Sequence, residues 1–196
     1  MNPTPQTVIS FWTYLMDKYG SQVRSKWEAE EMLLIAKALD LMGITDQKDF
    51  LSRFVTTVGS FIYTPFIVGT PTDEFGLWDQ IVVCAHEHQH IIQSRKGLGL
   101  NFALHYLTDP VWRAAYEGEA YRVSMTLEHW HRGEMPPLEP YLKAMQSYGL
   151  PLDYLDFFRR YLELSVPVIS AGGIPDEASR VAIDWLEQNA PELKAA

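Results

Sequence analysis

Along most of the chain the apolar residues recur every three or four positions, the spacing that gathers them on one face of an α-helix. Residues 5 to 18 follow this period and Gly20 marks the end of that helix. Ser25 and Glu28 stand at capping-box spacing ahead of WEAEEMLLIAKALDLM, Gly43 supplies a stop, and a third helix is expected after Thr45. The pattern changes in FVTTVGSFIYTPFIVG, residues 54–69, where β-branched and aromatic residues crowd together. This stretch predicts one or two strands bent near Gly59. Pro65 cannot donate a ladder hydrogen bond, so the second strand is expected at a sheet edge.

The helical period returns from Leu77 to about Lys96. Asp109 and Pro110 read as the cap and first position of a long helix running to His131, ended by Gly133 and the prolines at 136, 137 and 140. Further helices are expected near 138–147, 152–164 and 176–188. The predicted fold is therefore mainly α (α+β), with one small sheet just ahead of the 77–96 helix and additional helices at both ends. A single domain is expected over 1–196, with N-terminal helices in 1–53, a central section in 54–132 and C-terminal helices in 133–196.

Composition narrows the partners. A formal net charge of −9 argues against a nucleic-acid backbone, whose phosphates call for clustered Lys and Arg. Cys84 is the single cysteine, which excludes an intrachain disulfide and a cysteine-based zinc site. The stretch MNPTPQTVISFWTYLMDKYG lacks the basic region and continuous apolar core of a secretory signal, and no window reaches the roughly 18 apolar residues that span a bilayer. The expectation is a cytoplasmic protein with no membrane partner. No feature specifies an oligomeric state.

The chemistry concentrates in VVCAHEHQHIIQ. His86 and His90 are four positions apart, so on a helix their rings project from one face and can share one Zn2+ at about 2.0–2.1 Å. Glu87 is rotated from them by about 100°, where it can reach a metal-bound water. HExxH is short and arises by chance, but its surroundings add weight. Ile81, Ala85, His88 and Ile92 form one side of this helix, while Val83, His86 and His90 form the other. A helix apolar on both sides is buried, and buried histidines need partners. His88, on the Ile81 side, is expected to pack or to support, not to ligate.

A catalytic zinc takes three protein ligands and keeps one position open. Gln93 and Lys96 stand where a metzincin would have Gly and His, so the third ligand is sought in RAAYEGEAYR, residues 113–122. On a helix Glu117 shares a face with Arg113, Ala120, Tyr121, Ser124 and Glu128, and the small Ala120 permits close approach to the motif helix. Glu119 points among Trp112, Tyr116, Val123, Leu127 and Trp130. Helical phase favours Glu117, with Glu119 kept as the alternate third ligand.

HEHQHIIQ followed by YEGEAYR resembles the gluzincins, metallopeptidases with HExxH on one helix and a glutamate on the next. It looks most like small bacterial members whose helices read HExxHxxQ and then ExEAD. The resemblance covers residues 78 to 122. It implies a zincin-like core with His86, His90 and Glu117 as zinc ligands, Glu87 as general base, Gln93 as the family glutamine and a peptide or protein substrate. Tyr121 departs from the pattern, standing where the family has an aspartate that orients a ligand histidine. That departure weakens catalysis or passes the orienting role elsewhere. Zincin folds also lay a strand along the cleft beside an extended substrate, and 60–69 sits where the resemblance puts it.

The expected function is zinc-dependent hydrolysis of peptide bonds by an activated water, with Glu87 as the base. Tyr121, Tyr116, Arg122 and His105 are available as oxyanion donors, and Tyr121 is preferred because it shares the Glu117 face. Two alternatives stand beside this. Glu87 with His90, and Glu128 with His131, each form the ExxH of a di-iron carboxylate bundle oxidase, with Glu28, Glu30 or Glu31 as a further ligand. Against it, Glu117 and Glu128 fall on one helix, and the strand-like segment does not suit a bundle. The other alternative is a non-catalytic zinc-binding interaction protein on the same scaffold. The aromatic-rich 138–166 stretch, at roughly helical spacing, fits core packing first, and a cleft cover, a dimer contact or a partner site stay open for it.

Overall fold

Thr4 caps the first helix, α1 (Pro5–Tyr19): its hydroxyl accepts from the Thr7 amide, and Pro5 fills a position whose N–H has no partner anyway. Gly20, at φ 51°, closes α1 by returning its N–H to Met16 O. The computed structural model describes residues 1–41, 46–96 and 100–195. Within them α1 is followed by β1 (Gln22–Ser25), α2 (Glu30–Leu41), α3 (Gln47–Arg53), β2 (Thr56–Val58) and β3 (Phe61–Thr64). Next come α4 (Leu77–Lys96), α5 (Leu100–Thr108), α6 (Pro110–Arg132), α7 (Glu139–Ser147), α8 (Leu152–Ser170) and α9 (Glu177–Asn189). The fold is mainly α with one three-stranded sheet, as the apolar period predicts.

Several expectations shift in detail. Ser25 does not cap a helix. It ends β1, paired in parallel with β3 at Thr64, and α2 begins five residues later at Glu30. No local signal announces β1; it is extended because β3 offers it a partner. The strand order is β1–β3–β2, so β3 is the central strand and not an edge. Pro65 is tolerated because it follows Thr64, the last paired residue. The turn between β2 and β3 does fall at Gly59, at φ 60°. Helix α5 was not foreseen from the apolar pattern. Helix α8 runs past its expected end to Ser170 despite Pro167, because Phe158, Leu162 and Ile169 keep burying one stripe. Gly43 and Thr45 lie outside the described residues.

Helix α4 is the axis of the molecule. Every residue from Gln80 to Ser94 except Val83 is buried. The main core joins α1, α4, α6 and α9 through Phe11, Trp12, Ile81, Ile92, Leu127 and Ile183. A second core fills the space between α6, α7 and α8, and a third lies between α2, α3 and β3. Gly118 lets α6 and α8 approach closely: a Cβ there would stand 2.8 Å from the Tyr161 ring. Among the described residues no helix is long and apolar enough to cross a membrane.

Candidate metal centre

Burial of α4 against α6 brings three ligand-type side chains together. Nε2 of His86 lies 3.6 Å from Glu117 Oε2, and Nε2 of His90 lies 3.5 Å from Glu117 Oε1. One ligand atom from each residue lies within 4.8 Å of the others. A tetrahedral ion with bonds of about 2.0–2.1 Å sets its ligands roughly 3.3 Å apart, so this group can hold a metal ion after small adjustments. All three residues are buried. Burial alone would raise the Glu117 carboxyl, but His90, His86 and the Tyr106 hydroxyl hold its pKa down to about 2. Burial alone would lower His86, yet Glu117 and Glu87 outweigh it and hold that imidazole above its ordinary value. A metal and a proton therefore compete for the same ring.

The outer bonds set the tautomers. Gln93 Nε2 donates to Tyr116 O and to Glu119 Oε2, both at 2.9 Å and both acceptors only. Its Oε1 must then face His90, 2.8 Å away, and His90 Nδ1 must carry the proton. On the other histidine, Ser124 turns its hydroxyl toward Ala120 O at 3.4 Å, so it accepts from His86 Nδ1 at 3.2 Å. With each Nδ1 proton committed to its outer partner, Nε2 is the atom each ring turns toward Glu117, and a metal bound there takes the Nε2 lone pair.

Of the two glutamates considered for the third position, the structure brings Glu117 to the imidazoles. Glu119 accepts instead from Gln89 and Gln93, and so supports the histidine at one remove. Glu87 is buried beside the trio without joining it, and its Oε2 accepts from the Thr57 hydroxyl at 2.7 Å. Tyr121 sets its ring edge-on to His86 with centroids 4.8 Å apart, packed also against Tyr141 and Phe158. Ser124, one turn further along α6, is the side chain that meets His86 Nδ1.

The group opens into a cavity of about 380 Å³. Thr56 and Thr57 of β2 line one side, and Tyr106, Tyr121, Tyr141 and Tyr148 line another. Tyr106 donates to Glu117 Oε1 at 2.5 Å. Burial and the charges of Glu117 and Glu87 push the phenols of Tyr121 and Tyr148 up. Thr57, Tyr106 and Tyr148 had no signal in the sequence, since they reach the site from β2, α5 and the end of α7.

Other expectations resolve differently. The 60–69 stretch does not border the cleft as a free edge, because β3 is paired on both sides; β2 takes that place. His105 stacks on Trp112, Tyr116 packs with Phe102 and Trp112, and Arg122 is ion-paired with Asp176, so none of the three lines the cavity. Glu128 does line it, but it accepts from Trp78 and meets Arg132, while His131 stacks on Trp78 and bonds Leu193 O. Glu28 and Glu30 are exposed and Glu31 accepts from Tyr63, so the two ExxH pairs and these glutamates do not converge. His88 is enclosed between Ser21 and Cys84 O, a packing role as expected.

Compared with family models, curated proteins and solved structures, the chain matches none.

Proposed function

We propose that this chain is a zinc-dependent metallopeptidase whose centre is His86, His90 and Glu117. The observation that carries the reading is the meeting of two imidazole Nε2 atoms and one carboxylate in an open cavity, with a second carboxylate, Glu87, beside them. The described residues offer three such ligands and not four, the number of a site that keeps a position for water or substrate. Two nitrogens and one oxygen suit zinc among the borderline divalent ions.

Zinc in this set would supply the Lewis acid that polarises a scissile carbonyl and acidifies water. Glu87, steadied by Thr57, accepts the proton of the attacking water and delivers it to the leaving amine. Tyr121 and Tyr148 border the cavity with phenols that stay protonated, so either hydroxyl can donate to a developing oxyanion. One edge of β2 pairs with β3, and its Thr56 and Thr57 line the cavity, which fits an extended peptide added as a further strand.

The test is cleavage of a dye-labelled unfolded protein by the zinc-loaded chain, with a chelator control and elemental analysis. Expected are stoichiometric zinc, activity lost on chelation and restored by zinc, and a loss on the order of 10²–10⁴-fold in Glu87→Gln with zinc retained. Hydrolysis by purified Glu87→Gln at the wild-type rate would remove the mechanism. Zinc binding without any cleavage would leave a non-catalytic zinc protein, and paired iron would revive the oxidase reading.

A further inference from the structure

Lys26 is fully buried, with none of its surface exposed. An ammonium taken out of water costs several kcal/mol unless its hydrogen bonds are met. Here they are met completely. Nζ donates to Phe50 O at 2.8 Å, Phe54 O at 2.9 Å and Thr56 Oγ1 at 2.8 Å, and it sits 3.6 Å from the centre of the Phe50 ring. Burial draws its pKa down to about 7, opposed by the charge of Glu87; the cage of three acceptors is the one an ammonium fits.

The connections of this residue have a direction. Its backbone N–H donates to Thr64 O, extending the pairing of β1 with β3. Its side chain ends on Thr56 of β2, the opposite edge of the same sheet. The two carbonyls it also holds belong to the last turn and cap of α3, which leads directly into β2. Lys26 thus ties both edges of the sheet and the end of α3 to one point. Thr57 is the residue after Thr56, and its hydroxyl is the side-chain partner of Glu87. A strand of three residues at a sheet edge has few bonds of its own to hold that hydroxyl in place.

We infer that Lys26 is a positioning residue for Glu87: by clamping the α3–β2 corner it sets the Thr57 hydroxyl that orients the carboxylate. The catalytic consequence rests on the peptidase reading, whereas the geometric one does not. Lys26 bonds to none of the three ligand-type residues, so its effect is expected in turnover and not in metal affinity.

The experiment compares wild type, Lys26→Met, Thr56→Val and Thr57→Val as full-length, folded chains. Thr56→Val removes one of the three bonds to Lys26 and also the bond between Thr56 and Tyr148, so it is judged by the Thr57–Glu87 distance and not by kcat. It guards against a Lys26→Met chain that does not fold. Three quantities are read: the Thr57–Glu87 distance in metal-free crystals, zinc affinity against a chromophoric chelator, and kcat and KM on a dye-labelled unfolded protein. Expected are a Thr57–Glu87 bond lost in Lys26→Met and lengthened in Thr56→Val, and zinc affinity within about twofold of wild type. The expected fall in kcat is about 10- to 100-fold with KM little changed, the scale of a misplaced catalytic group. Lys26→Met and Thr57→Val should also fail to add when combined. A Thr57–Glu87 bond kept in Lys26→Met and Thr56→Val overturns the inference, whatever the wild type cleaves. If instead the bond is lost but the wild type hydrolyses nothing, the positioning stands and the peptidase reading falls.

Discussion

Ser124 Oγ lies 3.2 Å from Nδ1 of His86, on the same helix as Glu117 and two turns beyond it. One helix therefore supplies both the third ligand-type group and the partner that turns His86 toward it. Ser124→Ala is expected to weaken zinc binding by about 10-fold, the lower end of what such supporting partners contribute. Competition with a chromophoric chelator measures it. Unchanged affinity would mean that burial alone orients His86.

The two glutamates are expected to differ in kind. Glu117→Ala removes one of three ligands and should abolish stoichiometric zinc. Glu119→Ala leaves the ligand set whole and takes one acceptor each from Gln89 and Gln93, so it should lower affinity by about 10-fold at most. Metal analysis after gel filtration separates them. Zinc loss in Glu119→Ala alone would reverse the assignment.

His88 carries a pH dependence. Burial lowers its pKa from the model-compound value of 6.5 to about 4, only partly offset by its bond to Cys84 O. Between those values the unfolded chain binds the proton and the folded chain does not, so stability rises with pH across this window and is lost on acidification from 6.5 toward 4. The loss amounts to about 3 kcal/mol. Denaturant titrations of metal-free wild type and His88→Gln between pH 4 and 7 check it. The difference between their slopes should approach one proton; equal slopes would show that His88 is not the group responsible.

Gly118 tests the packing of α6 on α8. A Cβ would come within 2.8 Å of Tyr161 Cδ1, and a ring in a packed interface yields poorly. Gly118→Ala should destabilise the protein by about 1–3 kcal/mol, despite the better helix propensity of alanine. The urea midpoint measures it. A rise in stability would mean that Tyr161 moves aside freely.

Much of the site was readable because it is local. His86, Glu87 and His90 sit on one helix, where phase alone gives their directions, and phase also separated Glu117 from Glu119. The edge strand was misplaced because pairing partners are not local. Pro65 argued for an edge at β3, yet β1, without any signal of its own, came to lie on β3's other side. The tyrosines at 106 and 148 were missed for the same reason: each is an ordinary aromatic position until the chain folds over the α4–α6 floor.

The sequence by itself determined the helices whose period and caps are written within a few residues, as with Asp109–Pro110 at the start of α6 and Gly133 at its end. It determined as well that two imidazoles and a carboxylate would share the buried helix α4. Tertiary structure decided what those groups face. Ser124 reaches His86 across 38 residues, and Thr57 reaches Glu87 across 30. Lys26 holds Thr56 across 30 residues. Such contacts depend on which elements pack together, which is set by summed burial over the whole chain and not by any short spacing within it.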